Sequence, residues 1–496
     1  MAGINGPPLS SPARHQTVGW RIDANREAAE DPSVGRDGLG DRPPDIILFI
    51  TDQQRFDQVG YASAGHFETP NVDGLAARGV AFDGAYSAST VCVPSRVSML
   101  TGIQPHRHPT QENEFALREG FWTVARELRA HGYETAAIGK MHFAPVHADH
   151  GFDTVRLCEH IHSQGLGELS IARGDTMDDY HDWLIEQGLD DHRLSGPPGD
   201  QPAVRGVFAS PAAAHPTAWV EREVVTFLDD RDRGRPLFLV VSFPHPHAPY
   251  DPPEPYASMY DRADSLLPED GMAANAHLPM VFVLATHASP TRGEAERPES
   301  VARFLATVRG LIKQIDDVVG RVLAQVDLDS TVVLFTSDHG DFAGHRGLMR
   351  KMPWVPFDDL ARVAFVAAGP RIQRGQRIAD LVQTSDIPLT LLDLAGVPPP
   401  EGLAFDSRSL LPLLEGRPGP ADLDRDVFSA ISMGWPMVRR GQFKLIGHVE
   451  RPGRVLFDLE RDPHEQVNLL PDPELAQVSE DLAARLEAMC RQPTLS

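Results

Sequence analysis

Short apolar runs recur along the chain, separated by stretches of helical periodicity. Residues 46–50 (Ile-Ile-Leu-Phe-Ile) form the first of them. A β-branched run without polar alternation is the pattern of a strand covered on both faces. Residues 135–138, 237–241 and 331–335 repeat it, each after a helical stretch. The first of these helices ends near His131-Gly132 and the second surrounds Trp219 and Leu228. The third carries Phe304, Leu305, Val308, Leu311, Ile312, Ile315, Val318, Val319 and Val322. Spacings of three and four make an amphipathic face, and core packing accounts for it. Strand and helix in alternation predict an α/β sandwich, with helices flanking a large, mainly parallel central sheet.

The texture changes twice. Residues 1–44 are rich in Gly, Pro, Ser and charge and end in Arg42-Pro43-Pro44, which reads as a flexible leader. The α/β pattern then occupies residues 45–405. Beyond it, in residues 406–496, Pro-rich links surround strand-like stretches at 427–430, 443–446 and 455–458. A final helix carries Leu482, Ala483, Leu486 and Met489. This predicts a small C-terminal antiparallel sheet with a covering helix.

Composition excludes several classes. At 41% hydrophobic and 23% charged residues the chain is not disordered throughout. Its 46 basic against 70 acidic residues leave a net charge of −24, which repels phosphate backbones and anionic headgroups. Neither a nucleic acid nor a membrane is therefore expected as a partner. Three cysteines, Cys92, Cys158 and Cys490, make no disulfide framework. The N-terminal stretch has no apolar core of a signal peptide, and no run approaches the roughly 18 residues of a membrane span. A cytoplasmic protein is the expectation.

Ligands of open parallel sheets bind beyond the carboxyl ends of the strands. Each of the four apolar runs leads into chemically capable residues: Asp52-Gln53, then Lys140-Met141-His142, then His245-Pro246-His247, then Asp338-His339. An isolated Asp-containing loop is more often a cap or a turn. Four such clusters at equivalent strand ends describe a site. Asp52, Gln53, Asp338 and His339 offer oxygen and imidazole ligands to a divalent cation. Lys140, His142, His247 and Lys351 offer positive charge and protons to an anionic substrate.

Cys92-Val93-Pro94-Ser95-Arg96 opens the helical stretch Val97-Ser98-Met99-Leu100-Thr101-Gly102, placing a cysteine where a helix N-terminus favours negative charge. Here the chain resembles the type I sulfatases of the alkaline phosphatase superfamily, whose hallmark is Cys-x-Pro-Ser-Arg. The likeness runs from about residue 45 to 470. It includes Thr69-Pro70-Asn71-Val72-Asp73, Gly139-Lys140-Met141-His142-Phe143, and Leu456-Phe457-Asp458-Leu459 followed by Asp462-Pro463. Many arylsulfatases carry a second aspartate where Gln53 stands and an amide where His339 stands. The pairs in this chain look like the choline-sulfatase and phosphonate monoester hydrolase branches.

The resemblance implies an alkaline-phosphatase-like fold, with residues 45–405 as the catalytic domain. It implies a sulfuric ester hydrolase in which a maturation enzyme converts Cys92 to formylglycine. One divalent ion, calcium or manganese, would be held by Asp52, Gln53, Asp338, His339 and the modified residue 92. Arg96 would orient that residue, and Lys140 and Lys351 would bind sulfate oxygens. His247 would protonate the leaving alcohol, with His245 its nearest rival, and His142 would take the proton that releases sulfate. Phosphonate or phosphodiester hydrolysis by the same site is the alternative enzyme, and a non-catalytic binder of sulfated ligands the alternative class. The small-molecule ester is not legible; its specificity is expected in residues 105–120, 155–215 and 255–300. A homo-oligomer stays open.

Overall fold

The computed structural model describes residues 42–495 except 64, 114–116, 119, 143–144, 160–177, 190–205, 261–274, 276, 291, 418–424 and 430–433. Residues 1–41 of the expected leader, Phe143, Ala430 and parts of all three expected specificity loops lie outside the described residues. The apolar runs become strands of an eight-stranded sheet: β1 (Asp45–Asp52), β2 (Gly79–Tyr86), β3 (Glu134–Gly139), β4 (Thr154–Leu157), β5 (Leu237–Pro246), β6 (Thr331–Ser337), β7 (Phe365–Ala368) and β8 (Gln376–Gln383). The spatial order is β4-β3-β5-β1-β6-β7-β2-β8. Only β7 runs against its neighbours, so the sheet is mainly parallel.

β1 lies inside the sheet because its apolar run has two cores to fill. Ile46, Leu48 and Ile50 enter one core, and Ile47 and Phe49 enter the other, as the two-residue period of a strand requires. Helices α1 (Pro70–Arg78), α2 (Cys92–Thr101), α3 (Val124–Ala130), α4 (Asp179–Glu186), α5 (Pro216–Asp230), α6 (Pro298–Leu323) and α7 (Ile387–Ala395) cover the two faces. α2, α3 and α7 pack on the first core, and α1, α4 and α5 on the second. α6 divides its apolar stripe: Ile315, Val318, Val319 and Val322 join the second core, while Phe304, Leu305, Val308, Leu311 and Ile312 build a separate one with Tyr250.

A four-stranded antiparallel sheet follows: β9 (Asp426–Ser429), β10 (Met437–Arg440), β11 (Phe443–Gly447) and β12 (Arg454–Asp458). The sequence pattern predicts three strands here. β10 is the fourth; it is four residues long and ends in two arginines, which hide its apolar side. Helix α8 (Ala476–Cys490) covers one face through Leu482, Leu486 and Met489. The opposite face packs through Met437, Ile446 and Phe457 on Tyr86, Phe342 and Phe357. Lys444, fully buried, fastens this contact with Nζ 2.7 Å from Asp358 and 2.8 Å from Glu465. Among the described residues no helix is long and apolar enough to cross a membrane.

Candidate active site

β3, β5, β1 and β6 are consecutive neighbours, and their carboxyl ends are level: Gly139 and Ile50 both pair with Ser242, and Thr51 pairs with Ser337. Whatever follows these strands therefore meets at one edge. Asp52 ends β1, Asp338-His339 follow β6, Lys140 follows β3, and His247 follows β5. α2 starts over the same edge with Cys92 as its first residue, and all ten of its residues are buried. Asn113 Oδ1 accepts the Val93 N–H at 3.1 Å, satisfying one of the helix's open amides.

Residues from distant parts of the chain converge here. Cys92 Sγ lies 2.8 Å from Lys351 Nζ and 3.2 Å from His339 Nε2. Asp52, Cys92, Asp338 and His339 each offer a ligand atom within 4.8 Å of the others. Arg96 runs beneath them: Nε donates to Asp338 Oδ2 at 2.8 Å, and Nη1 donates to the Lys140 carbonyl at 2.6 Å and to Ser242 Oγ at 2.8 Å. Lys140 Nζ is ion-paired with Asp52, both wholly buried. Gln53 donates its backbone N–H to Asp338 Oδ1 at 3.0 Å and its side-chain amide to Tyr250 Oη at 2.9 Å and to Asp341.

Charge sets the protonation states. Burial would raise the Asp52 carboxyl, but Lys140, His247 and Arg96 hold it well below its ordinary value. Burial and Asp52 would likewise raise the Cys92 thiol, and Lys351, Lys140 and His339 outweigh them and lower it. His142 and His247 are pushed well below the usual imidazole range, by burial first and then by the lysines. His142 is thus a neutral imidazole with Nδ1 unpartnered among the described residues, the form a proton acceptor needs. His247 Nδ1 donates to the Ala248 carbonyl at 2.9 Å, which fixes the ring. His245 engages elsewhere: its ring stacks on His215 at 4.6 Å and its Nδ1 lies 3.4 Å from Thr217 Oγ1.

Sequence reasoning misses two supports. Ser242 sits within β5, where a serine after an apolar run carries no signal of its own. Glu159 follows β4, a four-residue edge strand with no buried run to announce it. Its Oε1 accepts the N–H of Met141 at 2.8 Å and of His142 at 2.7 Å. His142 has φ +60°, a left-handed conformation that a side chain resists. Burial raises the Glu159 carboxyl, against the pull of Lys140 and the two amides. Two buried amides left without an acceptor cost about 1–3 kcal/mol each. Glu159→Ala is therefore expected to lower kcat/KM about tenfold or more, which is ~1.4 kcal/mol of barrier. Glu159→Gln keeps an acceptor oxygen and should restore most of it; equal losses in the two variants, with unchanged circular dichroism, would refute the positioning role.

The family described as Sulfatase matches residues 44–397, and that described as N-sulphoglucosamine sulphohydrolase, C-terminal, matches residues 355–492. The arylsulfatase of Clostridium perfringens is 32% identical over 460 residues, 87% of this chain and 91% of the relative. The choline-sulfatase of Rhizobium meliloti is 30% identical over 444 residues, 87% and 83% of the two chains. The phosphonate monoester hydrolase of Agrobacterium radiobacter has a similar structure, with a TM-score of 0.74 over 90% of this chain and 96% of that one. At 24% identity this last likeness speaks for the fold alone, an alkaline-phosphatase-like α/β architecture.

Proposed function

The chain belongs to the sulfatase family and is a sulfuric ester hydrolase, and from that premise we propose that its nucleophile is a formylglycine made from Cys92 by a maturation enzyme, working beside one calcium or manganese ion. The observation that carries this reading is the setting of Cys92. It opens a buried helix with Lys351 2.8 Å and His339 3.2 Å from its sulfur, beside the Asp52 and Asp338 carboxylates. A thiol kept only for packing needs none of these charges around it.

The donors fit a divalent cation: two carboxylates, an imidazole and residue 92 converge, and Gln53, next to Asp52, would add its amide oxygen. A cation held there supplies Lewis acidity and lowers the pKa of a hydroxyl beside it. Hydrated formylglycine carries two hydroxyls, one to attack sulfur in line as the bond to the alcohol breaks, and one whose proton loss expels sulfate and restores the aldehyde. Arg96, locked by Asp338 and Ser242, balances the carboxylates from below. Lys140 and Lys351 bind the sulfate oxygens, Lys140 while still paired with Asp52. His142 accepts the proton from the second hydroxyl, and His247, once bound sulfate offsets Lys351 and its Nε2 takes up a proton, gives that proton to the departing alcohol.

A sulfate ester is thereby cleaved between sulfur and the ester oxygen, and the water consumed rehydrates the aldehyde. A second reading, phosphonate monoester hydrolysis by the same site, is favoured by the Gln53 and His339 pair. Turnover of an aryl sulfate, choline sulfate, a sulfated sugar and a phosphonate monoester separates the two. A higher kcat/KM on the phosphonate than on every sulfate would reverse the order. A mass spectrum of the peptide bearing residue 92 tests the nucleophile: a pure thiol in an active preparation excludes it.

Chelation is expected to lower kcat/KM about tenfold or more, ~1.4 kcal/mol of barrier, and added manganese or calcium to restore it. Full turnover by protein that elemental analysis finds metal-free would remove the cation from the mechanism.

A further inference from the structure

A second group of buried donors stands apart from the one around Cys92. His215, His245 and Asp251 each offer a ligand atom within 4.8 Å of the other two. We propose that these residues hold a second divalent ion, zinc by the chemistry of the donors, which clamps the loop carrying His247.

The three come from separate elements. His215 caps α5, His245 is the penultimate residue of β5, and Asp251 lies beyond the His247 turn. Their exposures are 0%, 1% and 4%. Thr217 touches both rings. Its backbone N–H reaches Nδ1 of His215 at 3.3 Å, and its Oγ1 is 3.4 Å from Nδ1 of His245. The rings stack at 27° with centroids 4.6 Å apart. Both Nδ1 atoms thus face Thr217, so Nε2 is the atom each ring would turn to an ion.

His215 Nε2 is buried and has no hydrogen-bond partner among the described residues. An imidazole nitrogen in that state calls for an explanation, because buried polar atoms are otherwise nearly always satisfied. Coordination through Nε2 moves the ring proton to Nδ1 and gives up the long contact from Thr217 N–H. On His245, a proton on Nδ1 points at the Thr217 hydroxyl.

Two imidazoles and one carboxylate favour zinc over calcium, which prefers oxygen. Ligands about 2.0–2.2 Å from a shared zinc ion stand beyond hydrogen-bond distance of one another. His245 and Asp251 flank His247 in sequence, so an ion shared between them fixes both ends of its loop.

Cobalt(II) serves as the visible probe, titrated into dialysed full-length protein with calcium present in excess. Wild type is expected to develop ligand-field bands that saturate at one ion per chain and vanish when zinc is added. The bands should persist in Asp338→Ala, and should be lost in His215→Phe and in Asp251→Asn. Circular dichroism checks that each variant folds, and the Asp251→Asn result stands by itself if His215→Phe does not. Absence of bands from the wild type overturns the proposal. So does their loss in Asp338→Ala with survival in the other two, which would assign the ion to the cluster around Cys92. The cobalt readout needs no turnover, so failure here leaves the proposed nucleophile untouched.

Discussion

Cys92→Ala is expected to lower kcat/KM on every sulfate ester by about 10⁴-fold or more, with the fold unchanged, because a covalent route disappears with its nucleophile. The change is small in volume. It removes one sulfur from the head of α2 and leaves Arg96, Asp52 and Asp338 bonded to one another. Lys351 loses the nearer of its anionic partners, yet Asp52 still raises its pKa, so the ammonium keeps a counter-charge. The measurement is kcat/KM on a nitrophenyl sulfate, with circular dichroism and a thermal melt as controls. Residual activity within tenfold of wild type is only about 1.4 kcal/mol of barrier, too little for a lost nucleophile. That result would end the formylglycine assignment.

His247→Ala should discriminate between leaving groups. An alkyl alcohol leaves with a far higher pKa than an activated phenol and needs a proton as the bond breaks. A positioned general acid typically contributes 10²–10⁴-fold, which nitrophenol hardly uses. His247 suits the task by geometry: its Nδ1 is anchored on the Ala248 carbonyl, so the ring cannot spin and Nε2 keeps its aim. Burial and Lys351 depress its pKa, while Asp52 raises it. A bound sulfate, by offsetting Lys351, adds to the raising side. The test compares kcat/KM of wild type and variant on an alkyl sulfate and a nitrophenyl sulfate. A loss of about 10²-fold or more confined to the alkyl ester is the expected result. Equal losses on both would make His247 a binding or loop-shaping residue.

The architecture is legible in the sequence wherever a strand is buried on both faces. β1, β3, β5 and β6 stand out as apolar runs because each has a core above and below. β2 breaks its pattern with Asp83 and Gly84, and β7 is only four residues long. β8 lies at the sheet edge with six of its eight residues exposed or partly exposed, and its sequence reads as polar. Strand ends that carry chemistry are visible for the same reason, since Asp52, Lys140, His247 and Asp338 follow the four legible strands within a few residues. Glu159 is hidden because it follows an edge strand. Ser242 is hidden because only the fold brings the Arg96 guanidinium to it. The parting of His245 from His247 is also a tertiary fact: in sequence they are two residues apart and equivalent.

The sealing of Cys92 has a consequence in time. The residue has no exposed surface, and the groups that close over it arrive late, His339 247 positions and Lys351 259 positions downstream. A ribosome adding roughly 5–20 residues per second needs roughly ten to fifty seconds to deliver the second of them. On the proposed chemistry, the sulfur must be oxidised by another enzyme, and only a growing or unfolded chain lets that enzyme in. Each molecule has one opportunity. A chain that folds first keeps its thiol behind Lys351 and stays inert, though nothing in its shape betrays the fact. The specific activity of a preparation then records a race between two machines in the cell that made it, and slower synthesis should yield the more active protein.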